Sequence, residues 1–118
     1  MNSLKNRVQL IGHLGADPEV RAFDNGKKFA RLSLATNDEY TDKEGQKIKQ
    51  TQWHQLVVYG KLADTCQKYL IKGKEIAVEG KLTYRSWNDK EGKTHNLTEV
   101  IVNELLMMGP KEKKVLAE

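Results

Sequence analysis

Cysteine, long apolar runs and histidine are all scarce in this sequence, and each scarcity closes off a class of protein. One cysteine in 118 residues excludes an internal disulfide framework, so the fold must hold by packing and hydrogen bonding. That residue, Cys66, lies on the apolar stripe of a short helical segment, which marks it as a small buried hydrophobe rather than a reactive thiol. No apolar run approaches the roughly 20 residues that cross a bilayer. The opening MNSLKNRVQLIGHLG has neither the unbroken apolar segment nor the small-residue cleavage site of a secretory signal, so the expected location is the cytoplasm. Histidine is sparse as well. His13, His54 and His95 stand far apart and come with one cysteine, so no metal-ligand spacing appears and no cofactor is expected. What remains, 38% hydrophobic and 31% charged, describes one soluble domain with a modest core over residues 1–109 and a short charged tail over 110–118. A net charge of +4 is compatible with a polyanionic partner without requiring one, and the placement of the charges matters more than their sum.

The most informative stretch is QWHQLVVYGKLADTCQKYLIKGKEIAVEGKLTYRSW, residues 52–87. From Trp53 to Gly60 side chains alternate with a strand's period of two: His54, Leu56 and Val58 against Trp53, Gln55, Val57 and Tyr59. The first set is a core face, and the second carries two large aromatics among polar neighbours. Leu62, Ala63, Cys66, Tyr69 and Leu70 then form one stripe of a short helix, with Gly73 suited to a left-handed cap. From Glu75 to Trp87 the period of two returns, with Ile76, Val78, Leu82 and Tyr84 inward and Lys81, Thr83, Arg85 and Trp87 outward. Tyr69 and Tyr84 are thereby expected in the core. Rings and cations sharing an outer sheet face are what a single-stranded nucleic-acid platform needs.

Around this stretch, Asn6 to Leu14 alternates as a first strand, with Gly12 and Gly15 marking a bend or a close backbone approach. Val20 to Phe23 resumes extended structure, and Asp24-Asn25-Gly26 predicts a tight type I′ hairpin turn. Phe29 to Asn37 is a strand, residues 38–51 read as a polar, turn-rich connection, and Thr94 to Asn103 is the last clear strand. Tyr40-x-Asp-Lys-Glu-Gly and Trp87-x-Asp-Lys-Glu-Gly predict two independent hairpin tips, each with an aromatic at its root. Three strands, one short helix and two strands give an all-β fold class, the five-stranded Greek-key barrel of the OB-fold, whose outer face and loops bind oligonucleotides.

Several blocks carry a resemblance: GHLGADPEVR (12–21), NGKKFARLSLAT (25–36), TQWHQLVVYGKLAD (51–64), YLIKGKEIAVEGKLTYRSW (69–87) and TEVIV (98–102). From about Leu4 to Val102 the chain resembles the bacterial single-stranded-DNA-binding protein (SSB) family. The resemblance implies an OB barrel that assembles as a homotetramer and coats single-stranded DNA during replication, recombination and repair, without sequence specificity or catalysis. Bases would stack at Tyr40, Trp53, Tyr59 and Trp87, with tyrosine where tryptophan is usual at 40 and where phenylalanine is usual at 59. Matching cations are Arg7, Lys61, Lys72 and Arg85. Gln55, Thr83 and Ser86 occupy family cation positions, and Lys49, Lys74 and Lys81 supply positive charge at other sites. His54 falls near a family subunit contact. The family continues through a Gly/Pro/Gln-rich linker to an acidic tail that recruits replication and repair proteins. This sequence reaches Glu118 with neither, so recruitment is not implied.

Two other classes compete. Trp53 and Tyr59 could instead pack a second core face; a protein-interaction OB module would explain the fold but not Trp53, Tyr59 and Trp87 beside cations. OB barrels also host small nucleases, which need acidic metal ligands converging on a phosphate. The clustered acids Asp38, Glu39, Asp42 and Glu44 read as a solvated loop.

Overall fold

The alternating segments become strands in the computed structural model, which describes residues 3–109; Met1, Asn2 and the expected tail 110–118 lie outside the described residues. The elements are β1 (Val8–Leu14), β2 (Glu19–Ala22), β3 (Lys28–Thr41), β4 (Lys47–Tyr59), α1 (Lys61–Tyr69), β5 (Glu75–Asn88) and β6 (Thr94–Met107), with a single 3-10 turn at Ser3–Lys5. β1 and β2 are one strand broken by a bend. Leu14 pairs with Leu34 on β3, and after the bend Glu19 picks up Arg31 on the same strand. Counted this way, five strands close in the order β1-β5-β6-β4-β3 and back to β1, with β4 and β6 parallel over Gln55–Val57 and the other pairings antiparallel. This is the expected barrel.

The inner face is filled by Leu32, Leu34, Leu56, Val58, Ile76, Val78, Val100 and Val102, and α1 packs Ala63 and Cys66 onto the same cluster. Burial pushes the Cys66 thiol up to about 11, because the thiolate would lose its water. Closure brings β1 across β3 at short range. A Cβ on Gly12 would run into the backbone carbonyl of Ala35, so this position admits only glycine without a backbone shift.

Several boundaries differ from the sequence reading. Residues 38–51 are mostly strand: β3 and β4 pair without a slip from Phe29↔Tyr59 to Thr41↔Lys47, leaving a turn only at Asp42–Gln46. This outer part is a two-stranded ribbon wet on both faces, so it lacks the apolar alternation that announces a strand. Thr51 donates to Asn37 Oδ1 across it at 2.8 Å. The Asp24-Asn25-Gly26 turn is not type I′, since Gly26 alone has positive φ (85°) and Asn25 does not. Gly26 N–H donates to the Phe23 carbonyl and Phe23 N–H to the Lys27 carbonyl, giving a three-residue loop with a glycine bulge. α1 ends on extended Leu70 rather than a left-handed glycine; Gly73 serves the turn after it.

Tyr69 and Tyr84 are not core residues, being 46% and 75% exposed. Tyr84 keeps the inward parity of Leu82, but beyond Leu82 β5 and β6 leave the barrel as a second ribbon with nothing packed beneath it. Tyr69 is the last helical residue and overhangs the end of the barrel.

We expect Gly12→Ala to lower the unfolding free energy by about 1–3 kcal/mol, the usual cost of forcing extra atoms into a packed site. Urea titration checks this, and an unchanged midpoint would rule out the crossing as a constraint.

Candidate nucleic-acid interface

The outer face of the barrel can be built row by row from the register. Phe29, Arg31, Ser33 and Ala35 on β3 stand beside Tyr59, Val57, Gln55 and Trp53 on β4. Gln55 and Val57 stand beside Glu99 and Ile101 on β6, and these beside Thr83 and Lys81 on β5. Further along, Arg85 pairs with Leu97 and Trp87 with His95. One continuous surface therefore carries Trp53, Tyr59 and Trp87, which are 58%, 49% and 45% exposed. Val57, Ala35 and Glu99 are buried on this face, Val57 between the rows of Arg31 and Ile101.

Each ring is held by a different device. Trp53 lies against the β1–β2 bend, where a Cβ on Gly15 would stand 2.5 Å from the indole edge. Glycine there lets the indole lie flat along the backbone. Tyr59 neighbours Phe29, with ring centroids 6.3 Å apart, and the Arg31 guanidinium sits 5.8 Å from the Phe29 centroid. Trp87 stacks on His95 at 5.3 Å with 23° between the planes, and the Arg85 guanidinium lies 5.6 Å from its centroid. His95 Nε2 in turn meets Asp89 Oδ2 at 2.8 Å. That hydrogen bond, with the backbone N–H groups of Lys93 and Glu91, holds the Asp89 carboxyl below the usual carboxylate range.

Tyr40 is exposed on the β3–β4 ribbon opposite Ile48. Its strand parity is that of Leu34 and Thr36, so it lies on the opposite ribbon face from Trp53 and is not brought together with the other three rings. The two Asp-Lys-Glu-Gly tips fold alike. Asp42 Oδ1 accepts from the N–H groups of Glu44 and Gln46, and Asp89 Oδ1 from those of Glu91 and Lys93. Asp42 is thereby used by its turn, and Glu39 stands opposite Lys49. Among the described residues no three His, Cys, Asp or Glu side chains converge as a metal site.

The cations are distributed unevenly. Arg85 is on the ring-bearing face, Lys49 follows on the β3–β4 ribbon with the parity of Trp53, and Lys61 opens α1 just after Tyr59. Lys72 and Lys74 lie on the loop after α1, which is tied to the bend bearing Gly15: Lys72 N–H donates to Asp17 Oδ1 at 2.8 Å and Leu14 N–H to the Lys74 carbonyl at 3.0 Å. Arg7 is paired with Glu79 next to the barrel's other flank. His54 is half-buried on the inner parity, its Nε2 sharing a 2.9 Å hydrogen bond with Thr36 Oγ1.

The sequence reading missed the group at the centre of this face. Glu99 is a buried carboxylate (6% exposed) between two arginines: Arg31 Nη1 donates to Oε2 at 3.1 Å, Arg85 Nη2 to Oε2 at 3.2 Å and Arg85 Nε to Oε1 at 3.3 Å. In TEVIV it reads as an ordinary outward charge. Its signal was an acid beside the apolar run Val100–Val102, on the same face as two arginines of other strands.

A closed five-stranded barrel with flat rings and guanidiniums on one outer sheet face defines the oligonucleotide-binding class of small β proteins. The model of the single-strand binding protein family matches residues 5–108, and the chain belongs to that family. It is 43% identical over 108 residues to single-stranded DNA-binding protein 1 of Chlorobaculum tepidum, covering 91% of this chain and 67% of that one. It is 44% identical over the same length to single-stranded DNA-binding protein 1 of Xylella fastidiosa, covering 79% of it. Among solved structures, a Plasmodium falciparum SSB in complex with ssDNA superposes with a TM-score of 0.83 at 33% identity, over 88% of this chain and 95% of that one. A deletion mutant of the single-stranded DNA-binding protein from Thermus aquaticus gives 0.77 at 33% identity; the match covers 88% of this chain and half of that one.

Glu99→Gln should destabilise the fold by about 1–3 kcal/mol, since it leaves two guanidiniums facing an uncharged amide in a confined site. Glu104→Gln, at an exposed position on the same strand, serves as the control. Equal unfolding midpoints for the two variants would refute a structural role for the Glu99 cluster.

Proposed function

We propose that this protein binds single-stranded DNA without sequence preference by laying bases on Trp53, Tyr59 and Trp87, with Tyr40 meeting the strand only where it passes around to the other face of the β3–β4 ribbon. Phosphates follow Lys49, Lys61, Lys72, Lys74 and Arg85, and Arg7 joins them where Glu79 releases it. The observation that carries this reading is the exposure of three large rings, each about half open, on the face that also holds the arginines. A half-open ring left in water without a ligand forgoes about half of the roughly 1.5–3 kcal/mol that full burial of a large apolar side chain returns. Each stacked base returns about 1–3 kcal/mol and is accepted whatever its identity, because every base has a π face. Duplex DNA keeps its base faces stacked inside, so preference for single strands follows from the same geometry. No bond is made or broken, and the protein coats exposed strands wherever replication, recombination or repair opens the duplex.

The same reading includes self-association, with a homotetramer as the expected state. From Val8 to Gly12, β1 pairs only with β5 among the described residues, leaving one strand edge open. Ile11 (53% exposed) and Leu106 (64%) flank a depression beside that edge, lined also by Ala77, Val78 and Leu105 and by the polar Gln9, Glu79 and Glu104. An open strand edge of this kind is a template for pairing with a second copy. His54 contributes near a subunit contact in this assembly.

Oligothymidylate should quench tryptophan emission, and Trp53→Ala or Trp87→Ala should each weaken binding by about 1–3 kcal/mol. The logarithm of affinity should fall with that of salt at about −0.7 per phosphate neutralised. Unchanged emission from both indoles at saturation would reject the stacking assignment. Light scattering should report a mass well above the 13.5 kDa of one chain; a monomer at micromolar concentration would reject self-association.

A further inference from the structure

Tyr59 is not the end of the aromatic row. Its neighbour Phe29 is stacked in turn by Phe23, with centroids 4.8 Å apart and 30° between the planes. Phe23 stands at the root of the β2–β3 turn and is 46% exposed, as open as Trp87. Beside these rings lies an open depression of about 530 Å³ lined by Phe23, Tyr59, Lys27, Lys28, Lys61 and Asp64. Gly26 and Gly60 complete its wall, and a Cβ at either would meet nothing within 4 Å, so the space is unobstructed. Asp64 is the one acid in the lining and is engaged by Lys28 at 3.3 Å, which leaves Lys27 and Lys61 unbalanced within the depression.

We propose that Phe23, backed by Phe29 and flanked by Lys27 and Lys61, is a further nucleotide-binding position that carries single-stranded DNA past Tyr59 onto the β2–β3 hairpin. The inference rests on the single-strand reading above and extends it to residues outside that reading. If Phe23 served only to pin the hairpin, contact with Phe29 would be enough, and its outer half would gain nothing from facing water. One face of the ring is fixed by Phe29, so the ring is pre-oriented and a base can add to the stack without first ordering it. Lys27 and Lys61, lining the same depression, supply what a phosphate needs, and the row Tyr59, Phe29, Phe23 is continuous with the ring-bearing face. A nucleotide of an extended strand fits all three features: a flat base for the ring, an anion for the lysines and continuity with its neighbour at Tyr59.

The test uses oligothymidylates on the full chain. Phe23→Ala should weaken binding about 5- to 100-fold, the range for one stacked base. Lys27→Gln should lower affinity at low salt and reduce the salt slope by about 0.7. A reporter guards against a folding artefact: Phe23→Trp in a Trp53→Phe, Trp87→Phe background places the only indole on the hairpin. Quenching of that indole at saturating DNA supports the proposal. Unchanged emission, with DNA shown to be bound by the anisotropy of a labelled oligonucleotide, overturns it and leaves Phe23 as hairpin packing. Should Trp53→Ala weaken binding while Phe23→Ala does not, the added position is wrong and the wider reading stands. A wild-type chain that fails to bind any oligothymidylate would remove both.

Discussion

Closing a small barrel forces two backbones to cross at short range, and here the crossing is Gly12 over the carbonyl of Ala35. Everything else follows from that closure. With β1 joined to both β3 and β5, the inner face has room only for its own leucines and valines, and Leu34, Val58 and Ile76 are sealed from solvent. No ligand can enter such an interior, so recognition must take place on the outer face or on the ribbons that leave the barrel. Closure also makes the outer face rigid. Trp53 and Tyr59 sit on the same strand as Leu56 and Val58, so their backbone is fixed by the core on the other side of the sheet. Binding to such a surface costs little ordering of the protein, which matters when each contact is worth only a few kcal/mol.

The charge arrangement on that face is restrained rather than strongly basic. Glu99 neutralises part of Arg31 and Arg85 while anchoring both beside the rings. A guanidinium has five N–H donors, so one or two bonds to Glu99 leave others for a phosphate. The buried carboxylate therefore converts two long, rotamer-rich side chains into positioned donors. For the strand proposed to lie there, the cost is a negative charge beneath it, a balance that would shift weight from ion pairing to stacking, the contribution that distinguishes an unpaired strand from a duplex.

Strand parity made most of this legible from the sequence. Trp53 and Tyr59 fall opposite Leu56 and Val58 by counting alone, and Trp87 opposite Leu82, so three rings could be assigned to the outside. The Asp-Lys-Glu-Gly tips were legible because turn chemistry is local: an aspartate caps the loop's N–H groups and a glycine takes the positive φ. Parity failed where its premise failed. Tyr84 has the inward phase, but the barrel ends before it, and periodicity does not say where a core stops. The ribbon over Asn37–Thr41 and Lys47–Thr51 was hidden for the converse reason, since a strand wet on both faces has no apolar period. Glu99 and the Phe23–Phe29 stack were illegible because each depends on residues brought together from separate strands.

The ribbons raise a different physical question from the barrel. They have no core, so their order depends on cross-strand pairs and on the turns at their tips, and such regions sit at the low end of local stability. Trp87 is placed where this matters: it lies on a ribbon, yet His95 and Asp89 clamp it to the neighbouring strand and tip. The clamp ties the ring to the turn that ends the ribbon, so the order of Trp87 depends on the tip. Trp53, by contrast, packs against the bend at Gly15 on the barrel itself. A strand lying across both would therefore meet one fixed ring and one carried on a compliant arm. That division suits a ligand with a regular chemical repeat and no regular shape.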